Sequence, residues 1–262
     1  MITTPFRYRT ARPADLAFAG WLALHAPSGR SMPLAAQARA DHAAPMLPRA
    51  ERVLVVTARP GPESADLGAL LYAFGRSGSR VSLLSMTRGE ASGLNSTIEP
   101  LHSVRPWELR VAARLLGVSS VAVADYPDGK LSSCGVSALA ARIRRAMTDQ
   151  PTDLVLVTDP AESGLDDAVV AMAACAAAEE ARVPALARTM SAVRGGWQVD
   201  LGADAAQARA VQRSAVAAHA SQSAALADLT VRLRLLGRSE WLRWLVPPPE
   251  AGPLPRADLR QM

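Results

Sequence analysis

From Arg52 onward the sequence alternates short apolar runs with longer segments whose apolar residues recur every three or four positions. This alternation narrows the possible folds more than any other property of the chain. The runs at residues 53–56, 81–86, 120–124 and 154–158 are short, rich in Val and Leu, and read as strands. Between them, Leu67, Leu70, Leu71 and Phe74, then Leu109, Ala112, Ala113 and Leu116, then Val169, Met172, Ala173 and Ala176 each share one helix face. Gly117 and the 75–78 segment are placed to end two of these helices. Strand and helix in regular succession build βαβ units, so the expected class is α/β, a Rossmann-like three-layer sandwich with a mainly parallel sheet.

Residues 184–199 read as two more strands around the Gly195-Gly196 turn, and residues 203–226 as one long Ala-rich helix. Trp241, Leu242, Trp244 and Leu245 read as a helix face packed on the sheet, with a dimer contact as the other reading. The expected organisation is an N-terminal extension (1–50), one α/β domain (51–246) and a Pro-rich tail (247–262). Helix-like pieces fall at 15–25 and 33–42 within the extension, and no internal repeat is visible.

A net charge of +5 would suggest an anionic polymer as partner, but Lys130 is the only lysine and no basic run is interleaved with aromatics. Nucleic acid is therefore not expected as a partner. Residues 16–26 follow Arg7, Arg9 and Arg12 and imitate a secretory leader, yet Gly20 interrupts them, Asp15 opens them and no cleavage site follows. They are also too short to span a bilayer, so the expectation is a cytoplasmic protein without a membrane partner. The two cysteines, Cys134 and Cys175, fall in helical segments and read as small, buried, reduced thiols.

In an open α/β sheet, ligands bind beyond the carboxyl ends of the strands. The turns to inspect are therefore residues 58–66, 87–92, 126–131 and 159–167, all polar or rich in Gly and Pro. They contain Ala58-Arg59-Pro60-Gly61-Pro62-Glu63, then Thr87-Arg88-Gly89-Glu90, then Asp128-Gly129, then Leu165-Asp166-Asp167-Ala168. Arg105-Pro106-Trp107-Glu108-Leu109 opens a helix, Leu116-Gly117 follows it, and His219-Ala220-Ser221-Gln222 comes late in the chain.

In this order the motifs resemble those of the PIG-L/LmbE-like zinc-dependent N-deacetylases, over residues 52–222. The resemblance implies the fold already expected and a pocket for N-acetylglucosamine-type substrates. It also implies a metal centre, and there the sequence departs from the family. The zinc-binding His, general-base Asp and zinc-binding Asp of the A-H-P-D-D-E motif are here Arg59, Gly61 and Pro62, and in place of H-P-D-H only the inner Asp167 remains. Zinc takes imidazole, carboxylate or thiolate donors, which guanidinium, glycine, proline and alanine side chains do not supply. No cofactor is expected, and zinc least of all.

The candidate ligand-binding residues are Arg59, Glu63, Glu90, Arg105 and Asp128, and the candidate proton-transfer residues are Asp166, Asp167 and His219. The bland alternatives are an internal ion pair from Arg59 to Asp167 or Glu63, helix-terminal roles for Glu63 and Asp166, a turn-forming Asp128 and a packed His219. The expected function is a small-molecule binder or regulatory pseudoenzyme, possible as a homo-oligomer. A zinc-independent hydrolase of N-acyl amino sugars or amides is the alternative. A third reading places Asp66, Asp159, Glu162 and Asp167 around Mg²⁺, Ca²⁺ or Mn²⁺.

Overall fold

The computed structural model describes residues 47–95, 97–225 and 236–249, with Leu229 and Leu233 of the intervening segment. The helix-like pieces expected at 15–25 and 33–42 lie outside the described residues, as does most of the 247–262 tail. The order of elements is β1 (Arg52–Thr57), α1 (Pro62–Ala65), α2 (Gly68–Arg76), β2 (Arg80–Thr87), α3 (Leu101–Leu115), β3 (Ser120–Tyr126), α4 (Leu131–Cys134), α5 (Val136–Asp149), β4 (Leu154–Thr158), α6 (Leu165–Ala181), β5 (Ala185–Thr189), β6 (Gly196–Asp200), α7 (Ala205–Ala217) and β7 (Ser239–Val246).

These strands form a seven-stranded sheet in the order β3-β2-β1-β4-β5-β7-β6. The first five are parallel to their neighbours, and β7 runs antiparallel between β5 and β6. Alternate residues of each strand divide between two cores. Leu54 and Val56 join Val155, Val157, Leu139, Ile143 and Val170 under α4, α5 and α6. Val53 and Val55 join Leu83, Leu156, Leu70, Phe74 and Leu109 under α2, α3 and α7. The strands are apolar on both faces because both faces are covered, as a parallel sheet requires. The Ala-rich α6 is buried along most of its length, its small side chains letting it lie close to the sheet.

Two expectations are corrected. Residues 239–246 form a strand, not a helix face: β7 is enclosed on both sides, with Leu242 and Trp244 on one core and Leu245 on the other, so its apolar residues ignore period two. The long helix expected over 203–226 is broken into a 3₁₀ turn, α7, and a second 3₁₀ segment Ala220–Ala225 with a kink at Gln222. Residues 184–199 contain the two strands expected, with β7 inserted between them in the sheet. Of the thiols, Cys175 is buried and Cys134 only partly so. Among the described residues no helix is long and apolar enough to cross a membrane.

Candidate functional site

The sheet order reverses between β1 and β4, whose carboxyl ends therefore part and leave a crevice. A cavity of about 180 Å³ lies there, walled by Arg59, Asp66, Asp159, Glu162, Asp167 and Arg188. Arg59 enters from the turn after β1, where Gly61 at φ 128° lets the chain fold back into α1. Asp167 enters from the first turn of α6. Their Nη1 and Oδ2 atoms stand 2.9 Å apart, with Arg59 38% exposed and Asp167 8% exposed at the side chain. Burial pushes the Asp167 carboxyl above the usual range, and the adjacent Arg59 guanidinium offsets only part of that. Its Oδ1 is enclosed without a hydrogen-bond partner.

The remaining wall is charged and almost fully paired. Arg243 of β7 grips both carboxylate oxygens of Asp159. Arg188, 4% exposed at the end of β5, donates from Nε to Glu240 at 2.9 Å and holds Nη1 4.0 Å from Asp66. Glu240 is clamped from its other side by Arg209 at 2.5 Å, whose neighbour Gln212 donates to the Ser64 and Ala65 carbonyls of α1. Glu162 accepts from the Met190 amide and the Ser191 hydroxyl. Arg188, Arg243 and Glu240 are absent from the residues expected from sequence. The available signal was a charged residue closing the apolar run Ala185–Thr189.

The other expected residues knit the neighbouring loops. Arg105, 4% exposed, donates to the Pro60 and Gly89 carbonyls and so ties the first two turns together. Burial holds its guanidinium below the ordinary value, against the pull of Asp128. Gly89 is at φ 76°, and a Cβ there would overlap the Arg105 guanidinium. Asp128 accepts from the Thr87 hydroxyl at 3.3 Å and the Ala91 amide at 3.0 Å, while Glu90 accepts from the Asp128 amide at 3.0 Å. Asp166 accepts the Leu131 amide at 3.2 Å with one oxygen and leaves the other unpartnered. Burial raises its carboxyl, with the Leu131 and Gly129 amides opposing.

Glu63 does not reach Arg59; it is fully buried against His219 at 2.8 Å and also accepts from the Gly61 amide and the Ser64 hydroxyl. Burial acts to raise Glu63, but the His219 imidazole and these hydrogen bonds outweigh it and hold the carboxyl below its usual range. Neither residue lines the cavity. Ser221 is held by Glu108 through both its amide and its hydroxyl, and Gln222 bridges Ser92 and the Leu94 carbonyl.

The residues do not fit a metal ion. The position of the expected zinc-binding histidine carries a guanidinium already engaged with Asp167, and Pro62 and Ala168 offer no donor. Asp66, Asp159, Glu162 and Asp167 do share one cavity, which corrects nothing about their proximity, but at least three of them are committed to Arg243, the 190–191 segment and Arg59. Among the described residues no group of His, Cys, Asp and Glu is disposed to hold an ion, so the all-oxygen reading is set aside.

Residues 54–178 match the PIG-L family, described as GlcNAc-PI de-N-acetylase. No curated protein matches the chain in sequence. The fold is similar to that of an N,N'-diacetylchitobiose deacetylase from Pyrococcus horikoshii, with 17% identity, TM-score 0.63 and coverage of 75% of this chain and 84% of that one. A deacetylase of the teicoplanin biosynthesis pathway gives 17%, 0.58, 74% and 96% in the same order. A 4-carboxy-2-hydroxymuconate hydratase from Pseudomonas putida KT2440 gives 18%, 0.54, 78% and 100%. At these identities the likeness is one of fold.

Proposed function

Because this chain carries a PIG-L-type domain, recognised over residues 54–178 and folded like the LmbE-type deacetylases, we propose that it binds a small amino-sugar-like or anionic molecule, or serves as a regulatory partner, without catalysing deacetylation. The observation that carries this reading is the Arg59–Asp167 ion pair at 2.9 Å, standing where the family motif has its metal-binding histidine. A metal ion contributes several kcal/mol of barrier lowering through Lewis acidity and water activation. A guanidinium is a permanent cation that supplies neither a coordination site nor an activated water. What persists is the crevice itself, while Arg105, Asp128 and Glu90, which do not line it, tie the neighbouring loops together.

The charge balance favours the amino-sugar-like ligand over the anion. The cavity wall carries Asp66, Asp159, Glu162 and Asp167 against Arg59 and Arg188, with Arg243 behind it on Asp159, an excess of one carboxylate. A ligand ammonium completes that balance and an anion worsens it.

The test is a thermal-shift titration with glucosamine and N-acetylglucosamine, joined to metal analysis and product analysis. We expect no stoichiometric zinc and a ligand that stabilises the protein while remaining intact. At a hundredfold excess over Kd the gain is about 2.7 kcal/mol. Chelator-sensitive release of acetate overturns the proposal. A second reading, metal-free hydrolysis of an N-acyl amino sugar or amide, is supported by the raised carboxyl of Asp167 on the cavity wall. Since Glu63 and His219 are 0% and 5% exposed at the side chain and spent on each other, proton transfer would fall to Asp167. Turnover abolished by Asp167→Asn distinguishes that reading.

A further inference from the structure

We infer that the slot between α5 and the edge strand β3 is a separate small-molecule site, suited to a small carboxylic acid with an apolar body. Successive residues of a strand alternate faces, so Ser82 and Leu84 of β2 and Ser120 and Ala122 of β3 turn toward α5. β3 closes the sheet on that side, and its small side chains leave a gap beneath the helix. The result is a cavity of about 240 Å³, toward the lower end of the sizes that hold ligands. Ala122 is exposed, so the cavity opens at the sheet edge. It shares no lining residue with the crevice, which lies beyond the opposite ends of the strands.

Arg142 selects the ligand. It shares one border of α5 with Ala146 and Asp149, at spacings of four and three. A long basic side chain at such a border normally extends into water. Here its Nη1 is enclosed without a hydrogen-bond partner, and the residue lines the cavity. Among the described residues no ion pair answers it: Asp149, on the same wall, stands 3.9 Å from Arg145 Nε instead. Ser120 donates to the Ser82 hydroxyl at 3.0 Å, which leaves the Ser82 proton for another acceptor.

An enclosed cationic donor without an acceptor is costly, so a ligand that brings acceptors is favoured. A carboxylate brings two oxygens in the plane that matches a guanidinium. One cation balances one negative charge, and Asp149 disfavours a second, which selects a monocarboxylate over a phosphate. Leu54 and Leu84 from the sheet and Ala146 from the helix supply apolar walls for the rest of the ligand. The inference is independent of whether the crevice binds a ligand or turns one over.

The test is isothermal titration calorimetry of the full chain with benzoate. Benzamide, which has the same shape without the charge, and inorganic phosphate are titrated beside it, and circular dichroism confirms that each variant is folded. One benzoate is expected per chain, with benzamide and phosphate weaker by about tenfold or more. Arg142→Met is expected to weaken benzoate by about tenfold or more through loss of the charged donor. Ala122→Leu, which fills the slot and leaves the cation in place, is expected to weaken it as much. No saturable benzoate binding below about 10 mM overturns the inference. So does benzamide or phosphate binding as tightly as benzoate, or an unchanged benzoate affinity in either folded variant.

Discussion

His219 and Glu63 face each other in a space closed to solvent, and the consequence is a pH-dependent increment of stability. The Glu63 carboxyl lies below its ordinary value, so its contribution is present above about pH 4.5 and is lost as pH falls through the lowered folded value. Glu63→Gln removes the buried carboxylate that faces the imidazole and is expected to lower unfolding stability at neutral pH by about 1–3 kcal/mol. Denaturant titrations of both proteins should converge as pH falls below the carboxylate range. Asp167 has the opposite sign: its raised carboxyl stabilises the fold below pH 3.8 and loses that contribution as pH rises through the folded value. Sequence made Arg59 and Asp167 visible as a pair because a cation and an acid closed two adjacent strand-to-helix turns. It left Glu63 between Arg59 and the amino end of its own helix, because the partnership with His219 depends on where α7 ends, which no local pattern encodes.

At the scale of elements, the tie between the first and second strand-to-helix turns passes through the space left by a missing side chain. Gly89→Ala adds the strain of a positive φ and displaces the Arg105 guanidinium, at a cost of about 2–3 kcal/mol. Gly75→Ala in α2, where nothing stands within 4 Å, should instead stabilise by about 0.5–1 kcal/mol. Chemical denaturation of the two variants checks both signs. The first four parallel strands were legible in sequence because each is a compact apolar run between helix-period segments, whereas β5 was read only as one of two strands around the Gly195-Gly196 turn. β7 was not legible: a strand enclosed on both faces has no alternation, and Trp241, Leu242, Trp244 and Leu245 fit a helix wheel equally well. The break after α7 was hidden for a different reason. Ala-rich sequence favours continuing the helix, and only contacts distant in sequence, from His219 to Glu63 and from Ser221 to Glu108, account for its bending away.

Across the whole molecule, a buried network joins β5, β7 and α7 through Arg188, Glu240 and Arg209. Glu240→Gln removes the charge shared by two enclosed guanidiniums and is expected to cost about 3–5 kcal/mol. For a domain of this size that is a fall in melting temperature on the order of 10 °C, measurable by calorimetry. The network also couples distant parts of the chain, since its acid sits on the last described strand while Arg188 sits on β5 and Asp159 just after β4. Asp159 in turn waits for Arg243 of β7. During synthesis the parallel strands can emerge and pair while Asp159 still lacks Arg243 and Arg188 has only Asp66 beside it. A nascent chain therefore completes its crevice only after residue 243 has left the ribosome, and any product cut short before that point keeps an unneutralised charge at its centre.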